Sequence, residues 1–599
     1  HKAGAATSAR PPATTARYRA SSFRHGHCAE RSASSGSEAL VRMSLLSHVV
    51  ALGVALAALP CYYAIISFLA STSEIEHHTP AQLGVCIFYG AVLAVWAGFE
   101  AGFFVLRMQP KYEEIDDNSD DMEAEPVPEE ARVLNGVSKH PESRIAFIPK
   151  TQLPALRASA EFVLIMGYVY LCDRTTLVAK GPKELSSLRF WGLNLLILLA
   201  GLASLRATPT AETHVKPIQR DQTEEWKGWM QVMFILYHYF AEAKIYNAIR
   251  LYIAAYVFLT GFGNFSYYYI KQDFTIVRFA QMMWRLNFFV FFVCATMNNE
   301  YMLYYICPMH TFFTWGVYLT LWAGNALNSN DLFLLFKIAA LLVLTAVLYD
   351  VNGVFGAVFQ PAAALLGFHD PLHPEFTDSL HEWFFRSHLD HLVWIFGMLC
   401  AYCFPWADRQ LQRLDELPTP TRLAARSGVV GATLLLGFHW YYSAFVLGKR
   451  DYNKLHPYTS WIPILCYLVL RNISNTMRRY SMHLFSWCGK VTLETYILQF
   501  HIWMKTTGIN GSPKFLMVWV PGWYWLNMSL TSAAFLFVSY RVFQITVTLR
   551  DACISKNLAS LGRGSLGALA LIALFYGAGC LAFSSLAASA LPPEAPAAP

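Results

Sequence analysis

The feature that most constrains this chain is a series of apolar runs, each close to the length that crosses a lipid bilayer. A transmembrane helix needs about 20 consecutive, mostly apolar residues. Some runs are short or are interrupted by proline, for instance at Pro308 and Pro463, and such segments can be re-entrant. We therefore predict an all-α polytopic membrane protein with about 12–15 transmembrane helices. The candidate runs lie near residues 44–70, 81–107, 160–178, 189–205, 229–243, 248–269, 284–298, 302–325, 331–359, 391–405, 426–447, 459–471, 483–504, 517–545 and 565–590.

Composition supports this class. Of the 599 residues, 55% are hydrophobic and 14% are charged, whereas a soluble protein has about 25% charged residues. The net charge of +6 is modest and no basic block is present, so we exclude nucleic acid as a partner. The C-x-x-C pair of Cys400 and Cys403 lies in an apolar run, which predicts two packed side chains rather than a zinc or redox site.

The chain divides by composition into five segments. Ser, Ala and Arg dominate the residues before Met43, and ten acids fall within residues 113–130; both compositions are typical of disorder. No polar stretch after Met43 is long enough for a separate soluble catalytic domain. The predicted segments are a disordered arm or gene-model extension at 1–42, a first transmembrane pair at 43–107, an acidic disordered loop at 108–158, a multi-span core at 159–555, and a last transmembrane helix with its tail at 556–599.

Charge also predicts the orientation of the chain. The arm at 1–42 is rich in arginine and poor in acids, and the positive-inside rule places such a segment in the cytosol. Two spans then return the chain to the same side, so the acidic loop is predicted to be cytosolic. Two further spans place residues 206–228 there as well.

The first candidate site residues are Lys227 and His238, which stand eleven positions apart. On a helix this spacing is about three turns, so both side chains project from one face, about 16 Å apart along the axis. Lys227 would lie at the cytosolic end, and His238 deep in the membrane, where a neutral imidazole can act as a base. The alternative is a structural histidine bonded to a neighbouring helix, with a snorkelling lysine.

A second pair of candidates is Arg278 and Arg285, seven positions apart on one predicted helix face. Two guanidinium groups on one face can clamp a phosphate-rich donor such as coenzyme A. A structural ion pair of one arginine with Asp273 is the alternative.

His310 follows Pro308, which breaks the helical hydrogen-bond ladder and can open a local cavity. Further along the chain, Lys490, Glu494 and His501 would share one face of a continuous helix. A carboxylate one or two turns from an imidazole can orient and charge it. A buried structural triad explains the second pattern equally well.

Residues 381–391 contain three histidines and two acids, but their spacing fits no standard set of metal ligands. We predict an amphipathic interfacial helix in which Arg386 and Asp390 pair at i, i+4. No metal cofactor is expected.

Several long motifs closely resemble the plant reduced wall acetylation proteins, which belong to the Cas1p-like polysaccharide O-acetyltransferase family. The resemblance covers roughly residues 80–555 and includes Cys172-Asp-Arg-Thr. The other motifs are Glu224-Glu-Trp-Lys-Gly-Trp-Met-Gln, Thr260-Gly-Phe-Gly-Asn-Phe-Ser-Tyr-Tyr-Tyr, Phe279-Ala-Gln-Met-Met-Trp-Arg-Leu-Asn, Met302-Leu-Tyr-Tyr-Ile-Cys-Pro-Met-His, His456-Pro-Tyr-Thr-Ser-Trp-Ile-Pro and Gly489-Lys-Val-Thr-Leu-Glu-Thr-Tyr-Ile-Leu-Gln-Phe-His-Ile-Trp.

The resemblance implies Golgi residence, acetyl-CoA as co-substrate, and O-acetylation of a cell-wall polysaccharide or oligosaccharide. The Lys–x10–His pattern also looks like the first-helix motif of bacterial sugar O-acyltransferases, which favours a catalytic His238. Animal and fungal relatives carry a lumenal serine-hydrolase-like domain that has no counterpart in this sequence. Three functions therefore stay open: a membrane acyltransferase, a transporter that passes acetyl groups to a separate lumenal serine-type transferase, and a scaffold for such transferases.

Overall fold

The structure analysed is a computed structural model. It describes residues 26–74, 78–107, 144–145, 148–149, 152–209 and 214–589. Residues 1–25 of the predicted arm and residues 108–143 of the predicted acidic loop lie outside these ranges. The chain divides into two compact units, one formed by residues 1–58 and 94–150 and the other by residues 59–93 and 151–599.

The smaller unit holds parts of the first two helices, α1 (Gly26–Ser71) and α2 (Pro80–Arg107). Helix α1 begins inside the arm for which we predicted no regular structure. Gly98 lies against α1, because a Cβ there would be 2.3 Å from the carbonyl oxygen of Ala51. A short antiparallel ladder joins β1 (Arg144–Ile145) to β2 (Ile148–Pro149).

The larger unit is mostly helical. Its helices are α3 (Leu153–Arg174), α4 (Ser187–Ala203), α5 (Arg220–Phe240), α6 (Tyr246–Lys271), α7 (Ile276–Met297), α8 (Ile306–Trp322), α9 (Asp331–Asp350), α10 (Val354–Phe359), α11 (Ala363–Leu366), α12 (His381–Leu389), α13 (Val393–Glu416), α14 (Thr419–Trp440), α15 (Lys449–Thr459), α16 (Trp461–Asn472), α17 (Asn475–Arg479), α18 (His483–Lys490), α19 (Thr492–Leu498), α20 (Tyr524–Cys553) and α21 (Leu558–Ser589). Its strands are β3 (Ala179–Pro182), β4 (Leu205–Ala207), β5 (Tyr480–Met482), β6 (Met504–Thr506) and β7 (Pro513–Val518).

The predicted fold class, an all-α polytopic membrane protein, is confirmed. Within the described ranges, nine helices are long and apolar enough to cross a membrane, and three further apolar helices are shorter. The nine are Leu45–Ser71, Pro80–Val105, Leu153–Arg174, Ala243–Lys271, Ile276–Met297, Asp331–Asp350, His381–Glu416, Tyr524–Cys553 and Leu558–Leu586. The shorter three are Ser187–Ala203, Val354–Leu366 and Trp461–Asn472.

Glycines set the closest helix crossings of the larger unit. A Cβ on Gly228 of α5 would lie 1.8 Å from the carbonyl oxygen of Phe485, and one on Gly489 would lie 1.9 Å from that of Glu224. Helices α6 and α13 meet in the same way, since a Cβ on Gly261 would be 1.9 Å from the Trp394 carbonyl oxygen. Small residues at such crossings let the backbones of membrane helices approach closely.

The predicted continuous span at 483–504 is broken in the structure. Helix α18 ends at Lys490, α19 runs from Thr492 to Leu498, and one turn of π-helix covers Gln499–Trp503 before strand β6 begins. Each break changes the direction in which the following side chains project, because the helical period is interrupted. The face that we predicted for Lys490, Glu494 and His501 is therefore not formed.

Two small antiparallel sheets join helix ends. Strand β7 pairs with β3 on one side and β6 on the other, with Lys180 opposite Met517 and Met504 opposite Leu516. Strand β4 pairs with β5. The three-stranded sheet places β6 next to the end of α3, which brings Thr506 into contact with Asp173.

Candidate active site

A fully buried network centres on His501, in the π-helical turn. Its Nδ1 lies 2.7 Å from Asp173 Oδ2, and its Nε2 lies 2.6 Å from the hydroxyl of Tyr304. All three side chains are 0% exposed. The Asp173 carboxylate fixes the tautomer with the proton on Nδ1, so Nε2 accepts from the tyrosine. Both ring nitrogens of His501 are thus committed to protein partners.

The Asp173 carboxylate is held from several directions. The backbone N–H of Thr506 donates to Oδ1 at 2.9 Å, and the Thr506 hydroxyl donates to Oδ2 at 2.8 Å. The neighbouring Arg174 turns to the Asn299 side chain, at 2.9 Å, and to the Met297 carbonyl, at 3.1 Å. This network joins α3, α7 and the broken segment after α18, and sequence spacing does not reveal it because its parts are far apart along the chain.

Glu494, which we predicted to orient His501, binds Arg285 instead. Arg285 Nη2 lies 3.0 Å from Glu494 Oε2, and Nη1 bonds the other carboxylate oxygen. The carbonyl of Lys490 also accepts from Arg285, at 3.4 Å. The reason is the helix break, which turns Glu494 towards α7 and His501 towards α3. The prediction of a Glu494–His501 pair was wrong.

The predicted double-arginine clamp is not formed as one surface. Arg278 lies over the ring of Tyr267, 4.2 Å from its centroid, whereas Arg285 is engaged by Glu494. The alternative pairing of Arg278 with Asp273 is indirect, since the Asp273 carboxylate accepts from Thr275 and from the Tyr267 hydroxyl. Arg278 is the less committed of the two, because its buried Nε has no hydrogen-bond partner in the described part of the chain.

His238, near the end of α5, is half-buried among aromatic rings. The centroid of its ring lies 4.8 Å from that of Phe234 and 6.3 Å from that of Phe500. The Lys183 ammonium donates to the carbonyl of His238, at 2.7 Å. Within the described residues neither ring nitrogen of His238 has a hydrogen-bond partner. This differs from the structural histidine that was our alternative interpretation.

Lys183 lies in the link between β3 and α4. Burial lowers the pKa of its ammonium from the usual value to about 8. A charge at this position is therefore sensitive to small changes of pH around neutrality.

Arg386, which our site prediction did not include, also belongs to this region. Its guanidinium lies 4.4 Å from the centroid of the Tyr305 ring and is one of the charges that act on His238. The predicted pair with Asp390 is wrong: Arg386 Nε binds Glu382 at 2.7 Å, one turn earlier. Asp390 instead binds Arg250 at 2.8 Å.

Lys227 and His310 lie nearer the beginning of α5. The Lys227 ammonium binds Glu224, one turn earlier, at 2.7 Å. His310 Nδ1 lies 2.6 Å from the Thr260 hydroxyl, and Lys227 and Asp390 are the charged groups that act on the imidazole. Its Nε2 has no hydrogen-bond partner within the described ranges. His310 therefore keeps one nitrogen for a ligand, like His238 and unlike His501.

Two open depressions contain none of the predicted site residues in their lining. One, of about 450 Å³, is lined by charged residues that include Arg422 and Asp415. The other, of about 440 Å³, is mostly apolar and includes Glu225 and Arg471, which form an ion pair at 3.1 Å. Both have the size of small-molecule pockets, but His238 lines neither of them.

Two comparisons with known proteins found a match, and a third found none. The sequence profile of the "10 TM Acyl Transferase domain found in Cas1p" matches residues 74–564. An N-acetylneuraminate (7)9-O-acetyltransferase from Danio rerio is 31% identical over 445 residues, which are 72% of this chain and 54% of the relative. The chain thus spans about half the length of that curated relative. No solved structure matches. Every candidate site residue lies inside the matched profile.

Proposed function

This chain belongs to the family of ten-span acyltransferase domains found in Cas1p, and from that premise we propose that it is a membrane O-acetyltransferase. The donor is acetyl-CoA and the acceptor is a carbohydrate hydroxyl. The name of the Danio rerio relative, which specifies O-acetylation of a sugar acid, supports a carbohydrate acceptor. The resemblance to plant wall acetylation proteins supports a cell-wall polysaccharide or oligosaccharide in the Golgi lumen.

The observation that carries the proposal is the state of His238. It is a half-buried imidazole whose ring nitrogens have no partner among the described residues, and the charged groups that act on it, Lys183 and Arg386, are both cationic. Burial is the main cause that disfavours a protonated ring, and the neighbouring positive charge adds to it. A neutral imidazole is the form that accepts a proton. His238 is therefore suited to be the general base.

The reaction follows from these parts. The acceptor oxygen attacks the thioester carbonyl carbon while a ring nitrogen of His238 takes the hydroxyl proton. The C–S bond then breaks, and the coenzyme A thiolate receives that proton from the imidazolium, which returns His238 to its neutral form. Arg386 and Lys183 supply positive charge close to the developing oxyanion, where fixed charges lower the barrier most effectively.

The donor is proposed to approach from the end of α5 that carries Lys227. From there the acetyl-bearing arm has to extend about 16 Å along the helix to reach His238. Within the described residues Arg278 keeps an unpartnered nitrogen, which is proposed to bind a phosphate, whereas Arg285 and Glu494 act as a positioning pair. His310, on α8 and near Lys227, has an Nε2 without a partner among the described residues. His501 holds the broken segment that places Phe500 beside His238.

A second candidate function is transport of acetyl groups to a separate lumenal serine-type transferase. The length of the relative favours it, since the match covers 54% of that protein and leaves room for a further domain. In this case the same residues bind and pass on the acetyl group, but the sugar is acetylated elsewhere.

Reconstitution of the purified full chain in sealed liposomes separates the two functions. Acetyl-CoA labelled in the acetyl group is added outside, xylan oligosaccharides are enclosed inside, and no other protein is present. Labelled oligosaccharide is the expected result. Acetylated sugar only after a lumenal transferase has been enclosed would instead establish transport. His439, exposed on the last turn of α14, provides the matched control, because His439→Ala should behave as wild type whereas His238→Ala should not.

A further inference from the structure

Three potential metal ligands meet at one end of the core. They are Asp350, the last residue of α9, His388 near the end of α12, and His391 in the link to α13. One ligand atom of each lies within 4.8 Å of those of the other two. Our sequence analysis expected no metal here, because the spacing within residues 381–391 fits no standard ligand set. The third ligand, Asp350, lies outside that segment, on another helix.

His391 is the anchor of this cluster. The side chain is 0% exposed, and its Nδ1 donates to the carbonyl of His388 at 2.5 Å. That bond fixes the tautomer and leaves Nε2 as a bare acceptor, which is buried and has no partner among the described residues. Metal-binding histidines almost always donate their other N–H to a carbonyl or carboxylate in this way. A buried acceptor without a donor is otherwise rare.

The side chains of the other two ligands lie close to His391 and can move towards a common position. The His388 ring stacks on His391 with centroids 4.9 Å apart, and its Nε2 lies 3.7 Å from Asp350 Oδ1, beyond hydrogen-bond length. The Tyr458 hydroxyl donates to Asp350 Oδ1 at 2.9 Å and orients the carboxylate. The Asp350 and His388 side chains are 39% and 26% exposed, so both have room to rotate.

We propose that Asp350, His388 and His391 bind a divalent transition-metal ion, and specifically Zn²⁺. Two imidazoles and one carboxylate are a common zinc ligand set, with water in the fourth position. Bonds of about 2.0–2.1 Å in a tetrahedron hold the ligand atoms about 3.3 Å apart. The two partly exposed side chains therefore close by up to about 1.5 Å around the fixed His391. Mg²⁺ and Ca²⁺ fit less well, because they prefer oxygen ligands.

The ion has a consequence for the proposed active site. Helix α12 carries both His388 and Arg386, and Arg386 lies over Tyr305 and acts on His238. Zinc would tie this nine-residue helix to the end of α9 and so hold the Arg386 guanidinium in place. Metal binding itself does not depend on the proposed function, whereas its effect on acetyl transfer does, so the two can fail separately.

The test is the zinc content of the full chain, purified in detergent without chelators and measured by inductively coupled plasma mass spectrometry. We expect about one Zn²⁺ per wild-type chain and less than about a tenth of that in Asp350→Asn and His391→Ala. The control is His381→Ala, which removes an exposed histidine from the same helix and should keep the full content. Wild-type protein without zinc, or equal zinc in wild type and Asp350→Asn, overturns the proposal.

A spectroscopic arm covers the case in which His391→Ala does not fold. Wild-type protein is loaded with Co²⁺, whose visible absorption is intense in a tetrahedral site, and is titrated with Zn²⁺. We expect tetrahedral bands that zinc abolishes at one equivalent and that Asp350→Asn weakens at least tenfold. A spectrum of octahedral, weakly bound Co²⁺ overturns the proposal.

Discussion

Two histidines whose rings each lie 6.3 Å from that of Phe500 differ in how completely their polar atoms are paired. His501 has a carboxylate on one ring nitrogen and a phenol on the other, and it is 0% exposed. His238 is half-buried, has no partner on either nitrogen within the described residues, and lies near two cations. A saturated buried network stabilises one arrangement, whereas an unpaired imidazole is free to take a proton. The comparison therefore supports the proposed roles, which are positioning for His501 and chemistry for His238.

The largest expected effect is on catalysis at His238. His238→Ala should lower kcat for acetyl transfer about 10²- to 10⁴-fold, the usual contribution of a general base. The melting temperature should change little, since no described hydrogen bond of the side chain is lost. Steady-state kinetics and differential scanning fluorimetry in the same detergent measure both. If kcat stays within twofold of wild type, the assignment of His238 fails.

The opposite pattern is expected for the saturated network. Asp173→Ala removes the buried carboxylate that accepts from His501 and Thr506 and lies 4.0 Å from Arg174 Nε, a change that costs about 3–5 kcal/mol of unfolding free energy. Denaturant unfolding of the detergent-solubilised protein measures this loss.

Asp451→Asn is the matched control for Asp173→Ala, because Asp451 is an exposed carboxylate that pairs with Lys454. It should cost less than about 1 kcal/mol. A small loss for Asp173→Ala, together with a large drop in kcat per folded molecule, would move His501 from positioning to chemistry.

The third prediction concerns Arg285, which the sequence suggested as a phosphate ligand and the structure pairs with Glu494. If the pair is structural, Arg285→Met and Glu494→Gln should be coupled by about 1–3 kcal/mol in a double-mutant cycle of unfolding free energies. The KM for acetyl-CoA should rise no more in Arg285→Met than in Glu494→Gln.

Arg278→Met sharpens the same comparison. The Arg278 guanidinium has no ion pair in the described part of the chain. If this group binds a phosphate of acetyl-CoA, its removal should raise the KM for acetyl-CoA about tenfold. A larger increase for Arg285→Met than for Arg278→Met would restore the original assignment of Arg285.

Sequence patterns predicted the fold class because spanning a membrane requires long apolar runs, which need no knowledge of tertiary contacts. They failed at 483–504, where the run is apolar enough but breaks at Lys490 and again at Leu498. The prediction that Glu494 and His501 share one helix face requires an unbroken helix, and it was wrong because the helix breaks between them.

Long-range partners were the other limit. Asp173 is 328 residues from His501, a separation at which spacing carries no information about contact. The Cys172-Asp-Arg-Thr motif drew attention to the segment that contains Asp173, but it did not predict that the Asp173 carboxylate binds His501. Arg386 and Asp390 were assigned to each other from an i, i+4 spacing, although each has a closer partner, Glu382 in one case and Arg250 in the other. Local rules rank possible pairs, and packing then chooses among them.

A final expected effect is a pH dependence of stability that Lys183 contributes beside His238. Burial lowers the pKa of this lysine to about 8 in the folded protein, whereas an unfolded chain has about 10.4. Between these values the unfolded state binds more protons, so the free energy of unfolding should rise with pH from about 8 to about 10.4. Below about pH 8 the penalty is constant. Lys183→Met should remove this rise.

Lys454→Met is the matched control, because the Lys454 side chain is 70% exposed and should leave the rise intact. Parallel slopes of unfolding free energy against pH for wild type and Lys183→Met, measured over about pH 8–10, would show that Lys183 stays charged in the fold. The two cations beside His238 would then both persist at alkaline pH. Their positive charge would then act on the His238 ring at alkaline pH as it does at neutral pH.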